Sequence, residues 1–224
     1  MTPKPTLAIL GGTGKEGKGL AWRWAKAGYS VIIGSRKAEK AQAAAADVRA
    51  RLGDEKAPVH GLLNPGAAAQ ADLVVVTVPY AAHRPTLESV KEAVQGKIVV
   101  DVTVPLVPPK VIKAQMPPAG SAAQEAQEIL GPGVAVVDAF QNISHELLWE
   151  DGAIDCDVLV TGKGKKNRQV VIQLVEDAGL RAWDAGPIEN SAVVEGLTSV
   201  LIYLNKTYGS THAGIRVTGV ASAD

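Results

Sequence analysis

A glycine-rich turn near the amino terminus constrains the fold of this chain more than any other feature. Residues 12–17 read GTGKEG, a G-x-G-x-x-G pattern, and they follow a short apolar run at Leu7–Leu10. Apolar residues then recur at helical spacing over 17–27, and Gly28 is placed to end that helix in the left-handed conformation. A strand, a glycine turn and a helix in this order are typical of the phosphate-binding turn of a dinucleotide-binding fold.

The same alternation of strands and helices continues along the first half of the chain. We predict strands at 29–33, 73–78 and 98–104, and helices at 38–52 and 85–94. Apolar, β-branched strands that alternate with helices of this length imply a parallel sheet with right-handed crossovers and helices on both faces. The predicted fold class is therefore α/β, a Rossmann-like doubly wound parallel sheet.

The pattern changes in the second half of the chain. Prolines interrupt residues 105–118, and Ser121 with Gln124 three positions later predicts the capped start of a helix that reaches Leu130. The remaining predicted elements are strands at 134–137, 154–160 and 180–183 and helices at 166–178 and 191–208. We expect a nucleotide-binding domain at residues 1–148 and a small C-terminal α/β lobe at residues 149–224.

The residues after the second predicted strand indicate which dinucleotide the turn accepts. NAD enzymes place an acidic residue about twenty positions after the glycine turn, where it binds the ribose hydroxyls. Here that position is Gly34, and Ser35, Arg36, Lys37 and Lys40 follow it. A hydroxyl and three cations suit a 2′-phosphate, which a carboxylate would repel, so the pattern favours NADP. The alternative is a solvated basic start of a helix.

Several common catalytic patterns are missing from the sequence. There is no Tyr-x-x-x-Lys pair and no G-x-S-x-G turn, and the four histidines lie far apart without metal-ligand spacing. We predict no metal site and assign no catalytic residue, although Asp101, Asp138 or His145 could hold a proton donor's role. An NADP protein of this kind suggests hydride transfer between two carbon centres, where positioning is the main requirement.

Charge and composition narrow the range of partners. Lys+Arg and Asp+Glu are both 23, so the formal net charge is zero, and aromatic residues make up 4%. No basic field is available to hold a polyanion, and no apolar run approaches the roughly 18 residues of a membrane span. We expect no nucleic acid and no membrane as partners, and a cytoplasmic location.

Several stretches together resemble a known family, the NADPH-dependent coenzyme F420 reductases, which exchange a hydride between a 5-deazaflavin and NADP. These stretches are residues 10–14, 17–21, 34–36 with Lys40, 78–79, 98–100, 184–187, 194–198 and 214–215. The first two would also suit other NADP reductases, and their combination with the C-terminal stretches is more specific. The resemblance implies NADP and coenzyme F420 as cofactors and a reversible hydride transfer between them.

The resemblance also implies a role for individual residues. The pyrophosphate would rest on the turn formed by Gly12, Thr13, Gly14, Lys15, Glu16 and Gly17, and the 2′-phosphate on Ser35, Arg36 and Lys40. Val78, Pro79 and Tyr80 would line the nucleotide, and the deazaflavin cleft would be bordered by Phe140, Gln141, Asn142, Ile143, Ala213 and Gly214. Gln141 departs from the family pattern, because some relatives have histidine there.

The predicted helix 191–208 carries more apolar surface than a small lobe readily covers. The family resemblance suggests that this surface forms a homodimer contact, and an ordinary core helix is the alternative. Two other functions are also open at this point: an NADPH-dependent reductase of a small imine or carbonyl, and a non-catalytic NADP-sensing protein. Turnover would separate the sensor from the enzymes, and a screen of oxidants would separate the two enzymes.

Overall fold

One eight-stranded sheet runs through the computed structural model, which describes residues 4–220. The strands are β1 (Leu7–Leu10), β2 (Val31–Ser35), β3 (Val59–Leu63), β4 (Leu73–Val76), β5 (Ile98–Asp101), β6 (Ala135–Asp138), β7 (Asp157–Gly162) and β8 (Arg181–Gly186). Their order across the sheet is β3-β2-β1-β4-β5-β6-β7-β8. Neighbouring strands are parallel, except that β6 and β7 are antiparallel.

The helices cover both faces of this sheet. They are α1 (Lys15–Lys26), α2 (Ala38–Leu52), α3 (Asn64–Gln70), α4 (Tyr80–Val90), α5 (Ala122–Leu130), α6 (His145–Trp149), α7 (Lys165–Asp177) and α8 (Ser191–Tyr208). Side chains of α1, α2 and α7, among them Trp24 and Leu174, pack on one face. Side chains of α3, α4 and α5, among them Leu87 and Ala126, pack on the other. The prediction of a doubly wound α/β fold is confirmed.

The strand order places a crevice at the centre of the sheet. The chain runs outward from β1 to β2 and β3, then crosses back to β4 on the other side of β1. β1 and β4 are fully apolar and buried, as expected for parallel strands covered on both faces. In open α/β sheets, ligands bind outside the carboxyl ends of the strands at such a reversal, so the fold itself indicates where a site lies.

Several predicted elements differ from the structure at their ends. The helix predicted at 85–94 runs from Tyr80 to Val90, because Pro85 lies inside the helix instead of starting it. The sequence pattern predicts no element at β3, α3 or α6. β3 is an edge strand of sequence VHGLL, and a Cβ atom on Gly61 would lie 2.3 Å from the backbone of α2. Its interrupted apolar pattern reflects that close approach.

The C-terminal part of the chain extends the same sheet. β7 pairs with β6 at its end and with β8 along its length. The domain boundary between residues 148 and 149 stays a prediction.

Within the described residues, no helix is both long and apolar enough to cross a membrane.

Candidate functional site

A cavity of about 1070 Å³ opens at the carboxyl ends of β1, β2, β4 and β5, at the crevice defined above. Each of these strands contributes the residues that follow it, beginning with Gly11 after β1, Arg36 after β2, Thr77 after β4 and Val102 after β5. Single ligand pockets are typically about 300–1,000 Å³. The cavity is therefore large enough for a dinucleotide and the ring of a second molecule.

The glycines of the turn after β1 have different structural roles. A Cβ atom on Gly12 would lie 2.7 Å from the carbonyl oxygen of Ile9, and one on Gly17 would lie 2.5 Å from the Gly12 Cα atom, so both positions exclude any side chain. Gly12 is buried beneath the cavity and does not line it. Gly14 is exposed, and a Cβ atom there would meet only the oxygen of Gly11, at 3.8 Å.

The turn leaves the amino terminus of α1 open to a ligand. Gly14 is the N-cap residue of this helix and has no side chain that could cap it. The first N–H groups of a helix have no partner within the helix, and they attract anions. Thr13, Gly14, Lys15, Glu16 and Gly17 line the cavity around this helix start. This arrangement suits a pyrophosphate.

The residues after β2 form a basic corner of the same cavity. Ser35, Arg36, Lys37 and Lys40 all line it. Ser35 is buried, whereas the three cations are exposed. No ion pair among the described residues involves any of the three cations. Their charges therefore remain available to a 2′-phosphate.

Glu16 is the one carboxyl group in the phosphate turn. Its side chain is half-buried, and burial raises the pKa of this carboxyl to about 8. Glu16 is therefore mainly protonated at neutral pH. A neutral carboxyl at this position does not repel a phosphate.

The segment after β4 lines the middle of the cavity with Val78, Pro79 and Tyr80. The Tyr80 hydroxyl donates to the Glu125 carboxylate at 3.0 Å, and Arg84 donates to the same carboxylate at 2.6 Å. Burial, together with the hydrogen bond to Glu125, raises the pKa of Tyr80 to about 12. The phenol therefore stays protonated and anchored at neutral pH.

The far end of the cavity has an apolar wall that the sequence did not predict. It is formed by the loop after β5, through Val102, Val104, Leu106, Pro108 and Val111. The prolines of this loop indicate, in the sequence, only breaks between elements. The position of these apolar residues directly after a predicted strand was a signal that they lie at the carboxyl edge of the sheet.

The four predicted cleft residues at 140–143 point in two directions. Gln141 and Ile143 line the cavity, together with His145 and Thr198. Phe140 is buried in the core, where its ring meets Trp24 edge to face with the ring centroids 5.8 Å apart. Its φ of 75° is unusual for a bulky residue and turns the chain sharply before Gln141.

The other predicted cleft residues also lie outside the cavity lining. Asn142 is buried, and its Nδ2 donates to the carbonyl oxygen of Val194 at 3.0 Å. The C-terminal tail packs beside the start of β7, because the Asp157 N–H donates to the Ile215 carbonyl oxygen at 2.8 Å and a Cβ atom on Gly214 would lie 2.6 Å from Cys156 Sγ, just before β7. The Ala213 N–H donates to Asn205 Oδ1 at 2.9 Å. Of these three residues, Asn142 contacts the cavity lining, because its Nδ2 also donates to Thr198 Oγ1 at 3.2 Å.

Two of the three candidate proton-transfer residues are buried below the cavity. Asp101 and Asp138 end neighbouring strands in paired register and are both fully buried. Burial, and then the charges of Glu195 and Asp101, raise the pKa of Asp138 well above its ordinary value. Asp101 lies 2.7 Å from Nε2 of the buried His83. Within residues 4–220, no group of three or more His, Cys, Asp or Glu side chains could hold a metal ion.

The chain is similar to known proteins along nearly its whole length. The family model described as "NADP oxidoreductase coenzyme F420-dependent" matches residues 6–105. A protein named F420-dependent NADP reductase from Methanocaldococcus jannaschii is 42% identical over 221 residues, which cover 96% of this chain and 98% of that protein. The chain belongs to the coenzyme F420-dependent NADP oxidoreductase family. The resemblance recognised in the sequence is confirmed.

Solved structures agree with this membership. A crystal structure of a candidate F420-dependent NADP reductase from Arthrobacter sp. FB24 is 26% identical, has a TM-score of 0.76, and covers 96% of this chain and 100% of that one. A reductive aminase from Aspergillus terreus shares the fold at a TM-score of 0.64 and 17% identity, and this chain matches 63% of its length. The chain therefore spans nearly the whole length of the F420-dependent NADP reductases that it resembles, but only about two thirds of the reductive aminase.

Proposed function

We propose that this protein transfers a hydride directly and reversibly between reduced coenzyme F420 and NADP. Membership of the family, with identity above 40% along nearly the whole chain, supports this assignment. The observation that carries it is that one cavity joins a basic end with exposed cations to an apolar end. The two alternative functions, an imine or carbonyl reductase and a non-catalytic sensor, are distinguished by the experiment described below.

The residues of the chain would divide the work between the two ends of the cavity. The open start of α1 and the basic corner at Ser35, Arg36 and Lys40 would hold the phosphates of NADP. Val78, Pro79 and Tyr80 would line the path of the nucleotide towards the apolar wall.

The apolar wall and Ile143 would exclude water from the place where the rings meet. When bound, the nicotinamide and the deazaflavin supply the chemistry, since each can donate or accept a hydride at a ring carbon. The protein needs to hold the two carbons about 3–3.5 Å apart. No nucleophile or metal ligand of the chain takes part in this proposal.

The experiment mixes purified protein with NADPH and oxidised coenzyme F420 and follows the loss of the deazaflavin's visible absorbance. We expect rapid bleaching with NADPH and slow bleaching with NADH. Arg36→Glu should lower the rate at limiting NADPH by about 100-fold, because it removes a charge-assisted bond and adds a repulsive charge. Lys91→Glu, which makes the same charge change at an exposed position outside the cavity, is the matched control.

Bleaching that is equally fast with NADH, or unaffected by Arg36→Glu, would contradict the assigned 2′-phosphate corner. No bleaching at all, with NADPH still bound, would favour a sensor. Oxidation of NADPH by small imines or carbonyls alone would favour the other reductase.

We further propose that the protein acts as a homodimer that pairs through α8. Val193, Val200 and Tyr203 lie along one side of this helix and are 67%, 49% and 51% exposed. Sedimentation equilibrium should give twice the chain mass of 23.2 kDa for the native protein, and one chain mass for Val193→Lys. Val170→Lys, at an exposed valine on α7 that is 43% accessible, should leave the dimer intact. A monomeric native protein would refute this pairing.

Two further proposals concern the domain division of the chain and its location in the cell. The division into a nucleotide-binding domain at 1–148 and a C-terminal lobe at 149–224 predicts that limited proteolysis cuts first near residue 149. A cytoplasmic location predicts that the protein remains in the soluble fraction of its own cells after gentle lysis. Early cleavage elsewhere, or recovery with membranes, would contradict these proposals.

A further inference from the structure

The side chain of Asn64 crosses the carboxyl end of β2. Asn64 follows β3, whose register places Leu63 beside Ser35 of β2. Its Oδ1 atom nevertheless accepts a hydrogen bond from the Gly11 N–H at 3.4 Å, and Gly11 follows β1, on the far side of β2. The amide therefore reaches over one whole strand, from the edge of the sheet to the turn after β1.

Gly34 lies beneath this crossing and leaves room for it. A Cβ atom on Gly34 would lie 2.7 Å from Asn64 Oδ1, which is too close for any side chain. NAD enzymes place their ribose-binding carboxylate about twenty positions after the glycine turn, and in this chain that position is Gly34. The Asn64 amide therefore occupies space that the first atoms of such an acidic side chain would need.

The orientation of the Asn64 amide follows from its hydrogen bond to Gly11. If the amide were flipped, its NH₂ group would face another N–H donor, so only the observed orientation is satisfied. Asn64 is 5% exposed and lines the cavity. Its Nδ2 atom donates to none of the described residues, yet it is not fully buried. An unused donor is therefore open to the cavity.

The basic corner determines which ligand atom this donor meets. Leu63 pairs with Ser35, so the residues that follow them, Asn64 and Arg36, leave the sheet at the same edge. Asn64, Ser35 and Arg36 all line the cavity there. A neutral N–H beside exposed cations suits an anionic oxygen, and hydrogen bonds to charged groups are stronger than those between neutral groups.

We propose that Asn64 is a specificity-determining residue for NADP over NAD, because its amide excludes an acidic side chain at position 34 and its Nδ2 donates to the 2′-phosphate. The inference rests on the NADP site of the proposed function and does not depend on coenzyme F420. Asn64 reaches the basic corner from β3, outside the contiguous segments that form this corner. For that reason no local sequence pattern indicates its role.

A competing role for Asn64 is purely structural. In that case its Oδ1 only holds the turn through the Gly11 N–H, and the loss of the side chain would weaken NADP and NAD binding by the same factor. A donor to the 2′-phosphate affects NADP alone, because NAD lacks this phosphate. The preference for NADP over NAD therefore separates the two roles.

The binding test is titration calorimetry with NADP and with NAD. Asn64→Ala removes the donor without adding a charge, and it should lower the preference for NADP by about ten-fold. Asn64→Asp keeps the oxygen that faces Gly11 but replaces the donor with an anionic oxygen. It should weaken NADP binding by about 100-fold and leave NAD binding no weaker.

Asn167→Asp, which makes the same change at the start of α7 and outside the cavity, is the matched control and should bind both nucleotides normally. An unchanged preference in Asn64→Ala would overturn the proposal. This holds even if Asn64→Asp binds NADP poorly, because repulsion alone would explain that result.

A second readout tests the crossing over Gly34 without any ligand. Gly34→Ala should lower the Tm of the native protein. It should lower the Tm much less in the Asn64→Ala background, because the oxygen nearest to the added Cβ atom is then absent. Folding of the double variant alone would also support the crossing. Equal losses of Tm in both backgrounds, or failure of both proteins to fold, would refute it.

These measurements separate the inference from the proposed function. A protein that does not reduce coenzyme F420, but whose NADP preference falls in Asn64→Ala, would refute the proposed function and keep this inference. Bleaching of coenzyme F420 by NADPH, together with an unchanged preference in Asn64→Ala, would keep the proposed function and overturn the role of Asn64.

Discussion

The two ends of the cavity are built in different ways. The proposed phosphate end comes from two short segments, the turn after β1 and the corner after β2, and it presents the uncapped start of α1 and exposed cations. The ring end gathers residues that are far apart in the chain: the loop after β5, the Gln141 segment and Thr198 of α8. The phosphate end can therefore be recognised in one sequence, because its residues form contiguous motifs. The ring end cannot, because its residues come together only in the folded chain.

The largest effect should come from the close approach at the phosphate end. Gly17→Ala would place a Cβ atom 2.5 Å from the Gly12 Cα atom, so either the turn or α1 must shift. Such overpacking costs about 1–3 kcal/mol, and a displaced turn should weaken NADP binding by about 100-fold or more. Titration calorimetry and a thermal melt measure both. Gly66→Ala, where a Cβ atom would meet nothing within 4 Å, is the matched control. Tight NADP binding by Gly17→Ala would show that the turn is not the phosphate site.

At the ring end, a smaller and more selective effect is expected. Leu106→Ser should raise the KM for coenzyme F420 by about ten-fold, because it replaces apolar surface of the cavity wall with a hydroxyl. The KM for NADPH should change much less. Val107→Ser alters the neighbouring valine, which is exposed and does not line the cavity, and it should have no effect. Equal changes for both substrates would mean that the two ends are not separate.

The smallest effect concerns the protonation of Glu16. The pKa of this carboxyl rises from an ordinary 4.5 to about 8 on folding, so its neutral form is favoured in the folded protein. Stability relative to Glu16→Gln should be similar below about pH 4.5, should fall as the pH rises from about 4.5 to 8, and should level off above pH 8. The affinity of the native protein for NADP should be nearly equal to that of Glu16→Gln at pH 6.5. At pH 9 it should be a few-fold weaker than that of Glu16→Gln. Glu39→Gln, outside the cavity, is the control. A pH-independent difference would refute the neutral carboxyl.

The same contrast explains how far the sequence could be interpreted. The bounds of α2 and α8 were predicted correctly, and Ser121 caps α5 by accepting from the Gln124 N–H, as its spacing indicated. These features depend on neighbouring residues. α5 has a second cap that no local pattern announces, because the buried carboxylate of Glu195 accepts from Ala122 N–H at 2.7 Å across 73 positions.

Residues 140–143 show the limit most clearly. The family resemblance grouped them as one border of the cleft, but the positive φ of Phe140 turns alternate side chains towards the core and the cavity. A one-dimensional pattern carries no information about such a turn. The loop after β5 was missed although its place directly after a predicted strand is a usable signal, and its extent as a wall becomes visible only when β4 and β6 lie on either side of β5.

Direct hydride transfer within one cavity is the central claim, and isotope transfer tests it most directly. The protein would be incubated with oxidised coenzyme F420 and NADPH deuterated at the transferable C4 position, in ordinary water, and the reduced deazaflavin analysed by mass spectrometry. We predict one deuterium in each reduced deazaflavin, and none when unlabelled NADPH is used in D₂O once exchangeable protons are removed. Loss of the label to solvent would contradict direct transfer between the two ends of the cavity.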